Sequence, residues 1–395
     1  MGFVIVGGGL AGLTAARTLR KLAPSAEVTV LEAEPTSYYL RPGLIEVLAG
    51  RKTLPEITPF PKAWYDRQGI RYRSDSAVVA VDPGRHAVTL ASDGDLRYDR
   101  LLLACGATAL RPEIPGADRP GVFTLRSAAD VERIRTRATE AKAAAVIGGG
   151  WLGIETARAL HDRGLPVVLL ERGGWLLRQQ LDQAAAEVLT AILTRQGIEV
   201  RAPFECAEIR GKPAVTGLRL ATGESVRADL VVISAGICPR VELARAAGVA
   251  VNRGVVVDDH LATSAPDVYA AGDVAEWQGR VYGIVPAARE QGDVAARNMV
   301  QPGSVRYAGT TPTNKLKVAG VDLLCLGNTQ PAGGACPEMH RSDPSAGRYV
   351  KFVLGLEGEL VGAVLLGAPD LAAPVEELVQ SGLPAKEDLA KLIES

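Results

Sequence analysis

The sequence predicts an α/β chain with two parallel-sheet units and a small C-terminal α+β domain. Three observations lead there. An apolar strand breaks into glycines and then a helix near the N-terminus; the same arrangement returns near residue 145; and the last ninety or so residues alternate apolar strands with no such turn.

The first copy reads Phe3-Val4-Ile5-Val6, then Gly7, Gly8, Gly9, Leu10, Ala11 and Gly12, then a helix pattern from Thr14 to Leu19. Gly7, Gly9 and Gly12 stand in G-x-G-x-x-G register. Those glycines permit a tight turn, close backbone approach to a pyrophosphate, and close packing of helix on strand. The helix start then offers free N–H groups to the diphosphate. The next strand, Glu27 to Glu32, ends in an acid suited to ribose hydroxyls, with Ala33 beside it. An ordinary glycine turn would account for the glycines alone, but not for strand, fingerprint, helix, strand and acid in that order. The second copy runs through Ala145-Val146-Ile147 into Gly148, Gly149, Gly150, Trp151, Leu152 and Gly153, and its second strand ends at Glu171 with Arg172 adjacent. The two copies predict two Rossmann-like dinucleotide-binding domains. They differ at one informative place, Thr14 in the first and Glu155 in the second.

Composition narrows the function. The 395 residues exceed what one core supports. A formal net charge of -1 gives no basic field for nucleic acid. The five cysteines, Cys105, Cys206, Cys238, Cys325 and Cys336, form no C-x-x-C pair, and their odd number argues against a disulfide framework; a reducing cytoplasmic setting is expected. The four histidines fall at no ligand spacing, so no metal is expected. No leader-like N-terminus and no membrane-spanning run are read, and a soluble protein is expected.

After Glu32 comes a turn-rich arm, Tyr38-Tyr39-Leu40-Arg41-Pro42, leading to a short helix over Leu44–Leu48. The arm either walls a planar ring or caps a surface helix. Strands over Ala77–Val81, His86–Leu90 and Leu96–Tyr98 form a meander. Arg100 to Leu103 is a buried strand ending in small residues, Ala104, Cys105 and Gly106, where backbone passes beside a ligand; Cys105 reads as a small buried apolar residue or a redox thiol. A helix from about Ala128 to Lys142 precedes the second fingerprint, and another from Leu181 to Gln196 follows it. A second meander then leads to Leu230–Ile233 and Gly236. Val268–Ala271 delivers Asp273 behind Gly272, ahead of a helix starting near Val285 and Pro286. Asp273 is placed to accept from a polyol hydroxyl or to close a turn. The expected domains are 1–112 with 237–304, 113–236, and 305–395.

With those residues in place, the chain resembles the two-dinucleotide flavoprotein reductases of the pyridine nucleotide-disulfide oxidoreductase superfamily. The resemblance implies FAD on the first fingerprint, at Gly7, Gly9, Leu10, Ala11, Gly12, Glu32 and Ala33. It also implies FAD contacts from Arg41, Pro42, Val78, Ala104, Cys105 and Gly106, with Asp273 on the ribityl chain and Val285 and Pro286 near the ring. NADH, with NADPH admitted by Arg172, is implied at Gly148, Gly150, Trp151, Leu152, Gly153, Glu155, Glu171 and Gly236. Glu155 matches the family's acid at the nicotinamide end, and Glu155 and Arg41 are the catalytic candidates. The arm Ser37 to Gly50, Leu181-Asp182, Gly236 to Arg240 and Leu316 to Leu323 are similar to NADH:rubredoxin reductases and to the flavin domain of NADH nitrite reductases.

No cysteine precedes Cys105. The thiol pair of the family's disulfide reductases and the single early cysteine of its peroxidase branch are therefore missing. The expected activity is hydride transfer from NADH to FAD, followed by single-electron delivery to a small redox protein such as rubredoxin or ferredoxin. Lys315 and Lys317 are either docking lysines for such an acidic partner or isolated exposed charges. An NADH oxidase, a diaphorase subunit of a larger reductase, and a flavin-loaded interaction protein are the alternatives. Oligomeric state is left open.

Overall fold

The computed structural model describes residues 1–318, 321–331 and 336–394, and the side chains of 314–318, 380 and 394 lie outside that description. The docking expectation for Lys315 and Lys317 therefore falls outside the described residues. In chain order the α-helices are α1 (Leu10–Leu22), α2 (Leu44–Leu48), α3 (Lys62–Arg67), α4 (Ala128–Ala138), α5 (Trp151–Asp162), α6 (Gln183–Arg195), α7 (Glu242–Ala246), α8 (Val285–Val300), α9 (Ala372–Ser381) and α10 (Lys386–Glu394). The chain divides into two compact units.

The first unit comprises Met1–Gly43, Thr53–Thr108 and Ile237–Thr310. Its sheet is parallel, in the order Val268–Ala270, Arg100–Leu103, Gly2–Val6, Glu27–Leu31, Arg71–Arg73. The apolar strand Gly2–Val6 lies at its centre, as a run buried on both faces should. A polar-edged meander of Val78–Asp82, Ala87–Leu90 and Gly94–Arg97 is attached to it. Helix α8 packs on α1 at Gly292, where an added Cβ would lie 2.4 Å from the Ala11 carbonyl oxygen, so only glycine admits this approach.

The second unit comprises Leu44–Lys52, Ala109–Gly236 and Thr311–Ser395. It repeats the plan, with a parallel sheet ordered Ile198–Arg201, Val167–Leu170, Ala144–Ile147, Leu230–Ile233, Val122–Thr124, and a meander of Cys206–Gly211, Val215–Leu220 and Ser225–Arg227. Two helix bounds differ from expectation. Helix α4 stops at Ala138 rather than near Lys142 because the Asp229 carboxylate accepts the Lys142 N–H at 3.1 Å, drawing the chain out toward its strand. Helix α6 starts at Gln183 rather than Leu181 because Asp182 is its N-cap, accepting from the Ala185 N–H at 2.9 Å.

The same unit carries an antiparallel sheet ordered Thr313–Val318, Val321–Gly327, Leu360–Leu366, Arg348–Leu354, Glu338–Asp343, whose buried face lies under α9 and α10. Glu338–Asp343 was not expected as a strand. Its side chains are mostly polar and exposed, and it is an edge strand whose backbone pairs with Arg348–Leu354.

Asp182 ties α6 to that sheet. Its second oxygen accepts from Tyr349 Oη at 2.7 Å and lies 3.4 Å from Lys351 Nζ, which is also 3.0 Å from Glu338. Lys351 is only 4% exposed, so its ammonium depends on these two carboxylates. Burial alone would raise the Asp182 carboxyl, but the Tyr349 hydroxyl, the Ala185 N–H and Lys351 together hold it below the usual carboxylate range. A carboxyl lowered on folding stabilises the fold above its unfolded pKa, and that stabilisation is lost as pH falls through the lower folded value. Asp182→Asn is expected to lower unfolding free energy by about 1.5–3 kcal/mol at neutral pH. In denaturant titrations the gap from wild type should narrow below about pH 4, and a gap constant across that range would contradict the assignment.

Candidate functional site

Each unit contains one glycine cradle, built the same way. In the first, a Cβ on Gly12 would lie 2.0 Å from the Gly7 carbonyl oxygen, and a Cβ on Gly7 2.2 Å from that of Ala104. In the second, the corresponding distances are 1.8 Å from Gly153 to Gly148 and 2.3 Å from Gly148 to Ser234. Gly7 and Gly148 also sit at φ +110° and +118°, where a side chain is strained. These glycines are required by the protein's own backbone. Gly9 and Gly150 are not: a Cβ on either meets nothing within 4 Å. The space they leave open fronts the helix starts.

Those helix starts are bare. Gly9 and Gly150 are the N-caps of α1 and α5, neither has a side-chain cap, and neither first turn carries an acid. By contrast α4 is closed by a Ser127–Asp130 capping box and α6 by Asp182. An uncapped helix N-terminus beside open space favours an anion.

An acid latches each turn. Glu32 accepts from the N–H groups of Gly8 at 2.7 Å and Glu34 at 2.9 Å. Glu171 accepts from those of Gly149 at 2.6 Å and Gly173 at 2.5 Å. A carboxylate has about four lone-pair sites, so each acid retains capacity for ribose hydroxyls. Ala33 and Arg172 are exposed beside their acids. These features fit a dinucleotide in both cradles. A further polar group points the same way in the second: Ser234 Oγ is buried without a hydrogen-bond partner among the described residues, and its Cβ lies 3.6 Å from a Cβ built on Gly153.

The structure gathers most of the remaining first-cradle candidates. Ala104, Cys105 and Gly106 follow the strand end against Gly7, with Gly106 at φ +69°. Val78 begins its strand two residues after Ser76, whose N–H donates to the Glu32 carbonyl. Gly272, at φ +81°, backs onto Ala11 of α1 and presents Asp273 in the turn that follows. Val285 and Pro286 form the uncapped first turn of α8. In the second cradle Leu152 and Trp151 open α5, and Gly236, at φ +115°, again has nothing within 4 Å of its built Cβ.

The arm packs on itself. Tyr38 caps no surface helix; it is buried against Phe60 in an aromatic row that continues through Trp64, Tyr65 and Tyr72. Glu34 holds the Arg41 guanidinium at 2.9 Å, and Tyr39 Oη lies 3.1 Å from it. Pro42 follows it in a 3-10 turn. Cys105 donates its thiol to the Arg240 carbonyl at 3.4 Å, and burial pushes that thiol up to about 11. It is protonated at neutral pH and is a poor nucleophile.

Sequence reading missed Glu34, and also Gln291 of α8, which is 1% exposed and accepts from the Gly272 N–H at 2.8 Å. It missed Glu46 of α2 as well. The Glu155 carboxyl is pushed up to about 7, first by burial and then by the Glu46 charge. Glu155 can therefore carry or release a proton near neutrality.

Comparison with known proteins defines the class. Residues 1–292 match the family described as pyridine nucleotide-disulphide oxidoreductase, and residues 312–383 match the rubredoxin NAD+ reductase C-terminal domain. The chain belongs to the pyridine nucleotide-disulphide oxidoreductase family, a class of NAD(P)H-dependent FAD oxidoreductases. It is similar to the assimilatory nitrate reductase electron transfer subunit of Bacillus subtilis, 34% identical over 92% of this chain. The chain spans only about half of that relative, 47% of its length. It is also similar to the biphenyl dioxygenase system ferredoxin--NAD(+) reductase component of Paraburkholderia xenovorans, 34% identical over 92% of this chain and 89% of that one. Among solved structures, NADH:rubredoxin oxidoreductase from Clostridium acetobutylicum has a TM-score of 0.80 at 28% identity, covering 97% of this chain and 96% of that one.

Gly150→Ala and Gly153→Ala should separate binding from folding. Gly150→Ala is expected to leave the melting temperature unchanged and weaken NADH binding at least about tenfold in calorimetry, by filling the space at the bare helix start. Gly153→Ala should lose both, since its Cβ collides with backbone. Full NADH affinity in Gly150→Ala would contradict the cradle.

Proposed function

We propose that the chain is an NADH-dependent flavoprotein reductase that delivers electrons singly to a small redox protein of the rubredoxin or ferredoxin kind, with no redox-active thiol. One observation carries the reading: the first cradle has no early cysteine, and its nearest thiol, Cys105, is held protonated by burial. FAD, when bound, supplies a centre that accepts two electrons together and releases them one at a time.

The chain's own residues would hold and orient the cofactors. Gly7 to Gly12 and the bare start of α1 take the FAD diphosphate, Glu32 the ribose, and Asp273 the ribityl hydroxyls. The uncapped first turn of α8, at Val285, would favour negative charge on a ring lying over it. Gly148 to Gly153 and α5 take the NADH diphosphate. Glu171 favours a free ribose over a ribose phosphate, and the exposed Arg172 softens that preference. Glu155 holds a proton or a negative charge at the nicotinamide end.

The similarity to an electron transfer subunit of a nitrate reductase favours a second reading, in which the acceptor is a larger enzyme. Anaerobic titration discriminates the readings. NADH should bleach the flavin with NADPH slower, and reoxidation should be fast with rubredoxin or ferredoxin and slow with oxygen. Fast oxygen turnover with none by either carrier would make the protein an oxidase. Cys105→Ala is expected to keep flavin reduction by NADH within about twofold of wild type; a large loss would reject the thiol-free route.

A further inference from the structure

Helix α2 is five residues long, and its only carboxylate is Glu46. The chain turns back after it, and the Arg51 guanidinium closes on Glu46 as a fork, with Nε 2.8 Å from Oε2 and Nη2 2.9 Å from Oε1. The remaining nitrogen, Nη1, reaches Asp162 Oδ2 at 2.5 Å. Asp162 is the last residue of α5, and its other oxygen is 2.7 Å from Arg158 Nε. Glu155, Arg158 and Asp162 stand at i, i+3 and i+7, so they share one face of α5, spanning roughly 10 Å. Helix α2 packs on α5. Arg51 thus fastens Glu46 to the face that bears Glu155.

As a stability device this is weak. The side chains of Arg51 and Glu46 are 37% and 35% exposed, and such pairs contribute little to folding. A bidentate fork with a third contact on a second helix instead fixes where the Glu46 charge lies. That charge is one of the two causes raising the Glu155 carboxyl. Glu46 itself is held low, chiefly by its hydrogen bond from Arg51, so it is ionised where Glu155 titrates.

We propose that Arg51 is a positioning residue: by clamping Glu46 against the Glu155 face of α5, it sets whether Glu155 meets the dinucleotide as an acid or as a carboxylate. This rests on the second cradle being the NAD(P)H site. NAD+ carries a cationic ring and NADH a neutral one, so an ionised Glu155 favours the oxidised form. NAD+ affinity should rise with pH through about 7. The protein then holds its product more tightly at higher pH, and Arg51 and Glu46 place that transition.

Other charges lie on α5 or on the elements packed against it. Lys52 follows Arg51; Arg158, His161 and Asp162 are on α5 itself; Glu199 and Arg201, on the strand Ile198–Arg201, pair with each other and Arg201 also with Glu224. Lys315 and Lys317 are on Thr313–Val318, a strand that approaches α5, and their side chains lie outside the described residues.

The test uses the flavin-loaded protein and two readouts: NAD+ dissociation constants by calorimetry between about pH 5 and pH 9, and the carbon-13 titration of the Glu155 carboxyl without dinucleotide. Glu46→Gln removes a like charge and should move both midpoints down by about half a pH unit or more. Arg51→Gln releases the Glu46 carboxylate from the fork and should move both down by a smaller amount. Arg51→Lys keeps the charge but not the fork and should behave like Arg51→Gln. A merely structural clamp would weaken NAD+ binding in all three variants without moving the midpoint, and that result, or an upward shift in Arg51→Gln, overturns the proposal. Wild-type protein that binds no NAD+ at any pH would instead overturn the dinucleotide reading, while the carboxyl titration would still decide the clamp.

Discussion

The structure depends on a contact that side chains forbid: a helix backbone seated against the carbonyl of the turn that launches it. Gly12 on Gly7 and Gly153 on Gly148 leave no room for a Cβ, at 2.0 and 1.8 Å. That closeness aims each helix start at the open space beside Gly9 or Gly150, and it lets the following strand end pass behind the turn at Ala104 or Ser234. Everything proposed for the cofactors follows from this placement of bare N–H groups. The cost is a turn with little side-chain support, and the latches of Glu32 and Glu171 onto neighbouring N–H groups supply it.

The two cradles share backbone but differ in charge. Around the first, ionisable groups are paired within their own arm, as Arg41 is with Glu34 and Tyr39. Around the second, Glu155 shares its surroundings with another acid and is left near its neutral midpoint. A cofactor retained through turnover needs a fixed setting. A dinucleotide that must arrive reduced and leave oxidised gains from one that responds to charge. The difference between Thr14 and Glu155 in otherwise matching helices is where this divergence enters.

Much of this was legible in the sequence, because glycine spacing and strand-end acids are local signals. The fingerprints, both latching acids, both meanders and the Gly272-Asp273 turn could all be read from runs of a few residues. What escaped is long-range or depends on pairing. Glu338–Asp343 has no apolar alternation and exists because Arg348–Leu354 offers it a ladder. Asp182 looked like a helix residue and is a cap with a second duty to Lys351, far along the chain. Arg51 and Glu46 resemble any surface pair until α5 is brought against them. Tyr38 read as either a ring wall or a helix cap, and the aromatic row that buries it comes from Phe60 and Trp64, beyond its own arm.

The central claim is that one chain holds two separate dinucleotide sites. Equilibrium dialysis of purified, deflavinated protein against FAD and NAD+, singly and together, counts them directly. The account predicts one FAD and one NAD+ per chain with neither displacing the other; competition between the two for a single equivalent would contradict it.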